Sequence, residues 1–264
     1  MEEEIILMDT NVLTPGSLMP LLYESRKYSH LPIEPIIETN NSIDCFAGMM
    51  YRGDLVIVKG VVDELLDLHK NIIDKVKFLD SKGSGASDEA RHNLQLLNSK
   101  LNKFIKKARK SQYKPSSKKD YESLVNLVIK LDDRLAIKKR AGYSDNQAVR
   151  TTDEKLTASA FYISIFEKKK ATVLTNDYDI SNLARTVYHL FTNGLDHGYA
   201  QSAVEILSEN PVQICGYLGE DNITRISFPS DEKPHLFSEG FIKFQKEAKD
   251  DIEAIIRLAY GVKL

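Results

Sequence analysis

The sequence predicts an α/β protein built on a central, mainly parallel sheet. Three observations carry that reading. Short, largely apolar runs, Ile5-Ile6-Leu7-Met8, Leu55-Val56-Ile57-Val58 and Ala171-Thr172-Val173-Leu174, are bounded by polar residues, as buried parallel strands are. Between them lie segments whose apolar residues recur at steps of three and four, the helical period. The helix expected from Thr151 runs directly into the strand at Ala171, the order a right-handed crossover into a parallel sheet would give.

Taken in order, the first strand ends at Asp9-Thr10-Asn11, Thr14-Pro15-Gly16 reads as a turn, and residues 17–28 suit a helix. Pro32, Pro35 and the pair Asn40-Asn41 predict a loop over 30–42, with a helix near 43–51. After the strand at 55–58, Lys59-Gly60 opens a long helix whose positions Val61, Leu65, Leu68, Ile72, Val76 and Leu79 share one face. Ser81 to Ser87 is a Gly-Ser break without the Gly-Lys-Ser/Thr ending of a phosphate loop, so it reads as a hinge. Helices over 88–110 and 118–139, separated by a loop at 111–117, resemble a hairpin inserted between core elements.

Thr151 and Glu154 fit a capping box at the start of the next helix. Leu156, Ala160, Ile163 and Phe166 continue it on one face, and Lys168-Lys169-Lys170 closes it with cations where the helix dipole favours them. The strand at 171–175 leads into Asn176-Asp177-Tyr178-Asp179. Helices at 181–192 and 199–208 flank a break at Gly194, strands at 212–218 and 223–228 form a hairpin through Gly219 to Asn222, and a final helix spans 236–260.

Bulk properties narrow the function. Hydrophobic content of 42% and charged content of 28% are those of an ordinary globular protein. The start Met1-Glu2-Glu3-Glu4 is the opposite of a basic signal peptide, and no apolar run reaches membrane-span length, so a cytoplasmic, non-membrane protein is expected. Cys45, Cys215 and the scattered histidines supply neither a zinc site nor a disulfide framework. A net charge of −2 excludes a wholly basic nucleic-acid binder. Locally the balance differs: nine basic residues and no acidic one lie between Lys100 and Lys119. Of these, Lys103, Lys106, Lys107 and Lys110 form the candidate phosphate-binding patch.

Acids placed where strands end or helices begin carry the chemistry. Asp9 follows the first strand and Asp177 follows the strand at 171–175, while Glu64 lies in Val61-Val62-Asp63-Glu64-Leu65-Leu66 and Asp153 in Thr151-Thr152-Asp153-Glu154. Ligands in open α/β sheets sit beyond the carboxyl ends of the strands. Carboxylates gathered there repel one another, and hard divalent cations offset that repulsion.

These four motifs, in this order, resemble the PIN domain family of metal-dependent nucleases, which includes toxin ribonucleases and RNA-processing enzymes. The resemblance spans roughly residues 5–185, and the strand-Asp-Thr-Asn and strand-Thr-Asn-Asp-x-Asp motifs are its more specific parts. It implies an α/β/α core over 1–195 with a helical insertion at about 81–140, and a C-terminal α/β extension over 196–264 packed on that core. It also implies that Asp9, Glu64, Asp153 and Asp177 are catalytic and hold Mg²⁺ or Mn²⁺, with Asp179 as a further ligand and Asn11 and Thr175 in support. Asp179 is equally expected to cap the following helix. Asp63 rivals Glu64, and Asp145 and Glu154 rival Asp153. The implied reaction is phosphodiester hydrolysis, of RNA by expectation and with DNA left open, giving 5′-phosphate and 3′-hydroxyl ends. The alternative from another class is a PIN-like module that has lost catalysis and serves as an RNA-binding scaffold. A homo-oligomer is left open.

Overall fold

The computed structural model describes residues 4–14, 18, 33–81, 87–135, 151–193, 195, 197–217, 223–227 and 239–260. The expected helix at 17–28, the Gly-Ser break after Ser81, Asp145, Gly194 and the turn Gly219 to Asn222 lie outside the described residues, Leu18 excepted. The protein is of the α/β class, with a five-stranded sheet of which four strands are parallel. The strands are β1 (Glu4–Met8), β2 (Leu55–Val56), β3 (Lys170–Leu174), β4 (Val212–Tyr217) and β5 (Ile223–Ser227). They hydrogen-bond in the order β2-β1-β3-β4-β5, so the order reverses between β1 and β3. The helices are α1 (Glu34–Arg52), α2 (Lys59–Ser81), α3 (Asp88–Ala108), α4 (Lys118–Leu135), α5 (Thr152–Ile165), α6 (Tyr178–Thr192), α7 (His197–Glu209), α8 (Glu239–Glu247) and α9 (Lys249–Tyr260). No helix among the described residues is long and apolar enough to cross a membrane.

The chain divides into two compact units. The first comprises Met1–Leu7, Lys114–Cys215 and Arg225–Leu264; the second comprises Met8–Tyr113 and Gly216–Thr224.

In the first unit β3 and β4 pair in parallel, with Ala171 opposite Val212 and Leu174 opposite Cys215. The crossover between them passes through α6 and α7. Helix α5 is the centre of this unit. Sequence periodicity predicts one apolar face, but Ala158, Phe161, Tyr162 and Ile165 are buried along with Leu156, Ala160 and Ile163. A helix covered on every side has no polar face to read, so its period carries little signal. The expected capping box is also not formed: Thr151 makes no side-chain capping bond. Its ψ of 34° departs from the extended backbone that aims an N-cap oxygen at the first turn, and Glu154 is buried. Helix α4 is tied to α5 through Tyr162, whose hydroxyl accepts from the Ser117 amide at 2.8 Å and donates to the Ser117 carbonyl at 3.2 Å. The expected single final helix is divided at Ala248 into α8 and α9.

In the second unit α3 packs on α1 and α2, whereas α4 packs on α5, α8 and α9 in the first. The two helices read as a hairpin therefore serve different cores. Helix α1 corrects the expected loop at 30–42, because it already runs from Glu34. Pro35 lies in its first turn, where a missing N–H costs nothing. The Asn40 side chain donates to the Asn93 carbonyl at 3.3 Å, a partner supplied by α3. Ile36, Ile43, Phe46 and Met50 form its buried stripe. Gly53, at φ 84°, ends it in the left-handed conformation that a side chain would resist, and the Asp54 amide donates back to the Met49 carbonyl at 3.1 Å. The segment 111–113 is no simple loop: Ile57 pairs with Gln112, donating to Ser111 and accepting from Tyr113, both at 3.0 Å.

Helix α2 buries Val61, Leu65, Leu68, Ile72 and Leu79, and on the same stripe Lys75. Burial pushes the Lys75 ammonium below its ordinary pKa, and Nζ lies 5.6 Å from the Phe78 ring centroid.

Candidate functional site

The expected acids fall in both units, with Asp9 and Glu64 in the second and Asp153, Asp177 and Asp179 in the first.

In the second unit, the chain leaves β1 through Asp9, which is buried at 4% exposure. Its Oδ1 accepts the Thr10 amide at 2.6 Å and so caps a short 3-10 turn, Thr10–Val12. The Thr10 hydroxyl then donates to Glu64 Oε2 at 2.6 Å. Glu64 sits one residue before the buried Leu65, at the margin of the α2 stripe, and is half-buried, whereas Asp63 points to solvent. Glu64 rather than Asp63 is therefore the acid of α2 joined to the strand-end turn. Asn11 lies in the same turn and is half-buried. Thr10 was not among the residues expected from the sequence. Its signal was the central position of Asp-Thr-Asn, but a partner 54 residues away is invisible to any local pattern.

In the first unit, Thr175 is fully buried and continues the β3 pairing by donating its amide to Cys215 at 2.9 Å. The Thr175 hydroxyl accepts the Asp177 amide at 2.9 Å, and Asp177 Oδ1 accepts the Asp179 amide at 2.8 Å. Asp177 is thus the N-cap of α6, and Asp179, expected in that role, lies within its first turn. The reason is the extended backbone at Asp177, φ −96° and ψ 121°, which aims its carboxylate at the first helical amides. This turn leaves β3 beside the reversal of strand order, where open sheets accommodate ligands. Asp153 is half-buried in the first turn of α5, and its rival Glu154 is buried.

Among the described residues, no three His, Cys, Asp or Glu side chains form a group that could hold one ion. That count does not exclude Mg²⁺, which keeps several waters and commonly takes one or two carboxylates with the rest of its shell from water and phosphate. The chemistry of Asp9 and Glu64, two hard-oxygen donors oriented by one threonine, fits such an ion.

The basic stretch closes α3. Lys103, Lys106 and Lys110 are exposed at steps of three and four, while Lys107 donates to the Ala47 carbonyl of α1 at 2.7 Å. Lys100, at the start of the stretch, pairs with Asp44 at 2.5 Å. Three of the four candidate phosphate-binding lysines therefore face solvent, and the fourth is anchored to α1. No family model, curated protein or solved structure matches the chain.

Proposed function

We propose that this protein is a metal-dependent nuclease of the PIN type that hydrolyses phosphodiester bonds in RNA. The observation that carries the proposal is the link Asp9–Thr10–Glu64, in which a buried strand-end carboxylate and a helix carboxylate are held by the backbone and side chain of one residue. A carboxylate that only terminates a strand has no need of a second one fixed beside its turn. Asp153, Asp177 and Asp179, with Thr175 in support, enter the proposal through the family resemblance.

The residues divide the work as follows. Asp9 and Glu64 would hold Mg²⁺ or Mn²⁺. Bound there, the ion would lower the pKa of a water and polarise the phosphate. Thr10 fixes both carboxylates before any ligand arrives, which lowers the ordering cost of binding. Lys103, Lys106 and Lys110 offset the repulsion between an acidic centre and a polyanion by drawing phosphates to the same unit.

The test is incubation of the purified protein with labelled single-stranded and structured RNA, and with DNA, in Mn²⁺, Mg²⁺ or EDTA, beside Asp9→Asn. Cleavage that requires metal and that the variant lacks supports the reading, and the preferred polymer decides RNA against DNA. Wild-type protein that cuts nothing under any condition overturns it, in favour of a binding or scaffold module.

A further inference from the structure

We propose that Tyr51 is a stacking platform for a base of single-stranded nucleic acid, beside the lysine row of α3. The inference rests on the nucleic-acid reading above and deepens it by naming the strandedness of the substrate.

Tyr51 ends the exposed side of α1 and is 83% exposed. A lone exposed aromatic residue is ordinary and carries nothing by itself. What distinguishes this ring is its setting. The Lys107 ammonium lies 4.9 Å from the ring centroid and is fixed there by its bond to the Ala47 carbonyl, one helical turn before Tyr51. The helix end beneath is defined by the left-handed Gly53 cap, whose amide bonds back to the Met49 and Met50 carbonyls. The ring is thus presented on a rigid helix end with one cation against it and most of its surface in water.

Charge completes the argument. The two α1-side carboxylates of this region already have partners, Asp44 with Lys100 and Asp54 with Arg52. Lys103 and Lys106 lie on the exposed side of α3, the helix packed on α1, and Lys110 is exposed in the turn just after it; among the described residues no carboxylate is within ion-pair distance of them. A row of unmatched cations suits a phosphate backbone, and an exposed ring at its side suits a base. Only an unpaired base offers its face to such a ring. A duplex could use the lysines but not the tyrosine.

The experiment measures binding of a fluorescein-labelled uridine dodecamer, and of a duplex of the same length, in EDTA, where cleavage plays no part. The Tyr51→Ala variant should bind the single strand roughly tenfold more weakly. Tyr51→Phe should bind it as the wild type does, and neither change should alter duplex binding. Circular dichroism of both variants checks that α1 is retained. A wild type that does not bind the dodecamer, a Tyr51→Ala variant that binds it unchanged, or an equal loss for duplex and single strand would each overturn the proposal. Metal-dependent cleavage is a separate readout, so the stacking platform can fail while the nuclease stands, and the reverse.

Discussion

Asp9 and Asp177 begin alike and end differently. Each follows a buried strand, and each accepts a backbone amide within the next two residues, at 2.6 Å and 2.8 Å. At Asp9 the same turn reaches across 54 residues, through the Thr10 hydroxyl, to a second carboxylate. At Asp177 the bond from its amide to the Thr175 hydroxyl and the bond its carboxylate accepts from Asp179 lie within a five-residue stretch and start a helix. Two motifs that look equivalent in sequence thus place an acid in different structural service. The first arrangement costs chain entropy to assemble, because it joins two carboxylates distant in sequence, and it caps only a three-residue 3-10 turn. The second contributes to stability whatever else it does.

That contrast can be broken or sharpened by substitution. The largest effect is expected at Asp9→Asn, where cleavage should fall by more than about 100-fold, taking losses at the outer partners of metal ligands as a floor. Its melting temperature should hardly move, since Asn caps as well as Asp. A variant that cuts at the wild-type rate would erase the distinction. Thr10→Val should lose about 10–100-fold in Mn²⁺ affinity, read by calorimetry, and Thr10→Ser should restore most of it. Equal affinity in all three proteins would make the bridge to Glu64 incidental. Asp177→Ala should cost about 1 kcal/mol of stability in urea titrations, and Asp177→Asn close to none, because only the first removes the cap. The smallest change is expected at Asp179→Asn, about 0.5 kcal/mol, since that carboxylate meets only the helix dipole while its amide does the bonding. A larger loss there than at Asp177→Ala would reverse the assignment of the cap.

Much of this architecture was legible because its signals are local. The apolar runs at 5–8 and 171–174 became β1 and β3, and of the expected stripe Val61, Leu65, Leu68, Ile72, Val76 and Leu79 all but the half-buried Val76 became the buried face of α2, with Lys75 buried in its place. Failures came where the deciding partner was distant or the period was silent. Pro35 and Asn40 punctuate the sequence as a loop would, yet Pro35 is harmless in a first turn and the Asn40 amide is satisfied from α3. The α5 stripe could not be told from its surroundings because every face of that helix is covered. Of the candidate acids, positions at strand ends could be read directly. Glu64 was already preferred to Asp63 from its place before Leu65-Leu66, but its bond to Thr10 was not legible, nor was the Lys107 ammonium against the Tyr51 ring, because each partner is distant in sequence.

Lys75 gives the second unit a property of a different kind. An amine acylates only when it is neutral and in contact with reagent. Burial here lowers the Lys75 pKa, which raises its neutral fraction, while denying access. Its labelling can therefore proceed only as fast as α2 lifts from its neighbours. When reclosing outpaces the reagent, the rate reports the population of the open form. A single buried lysine thus makes the opening of this helix, on which Glu64 is carried, measurable by mass spectrometry in the unmodified protein.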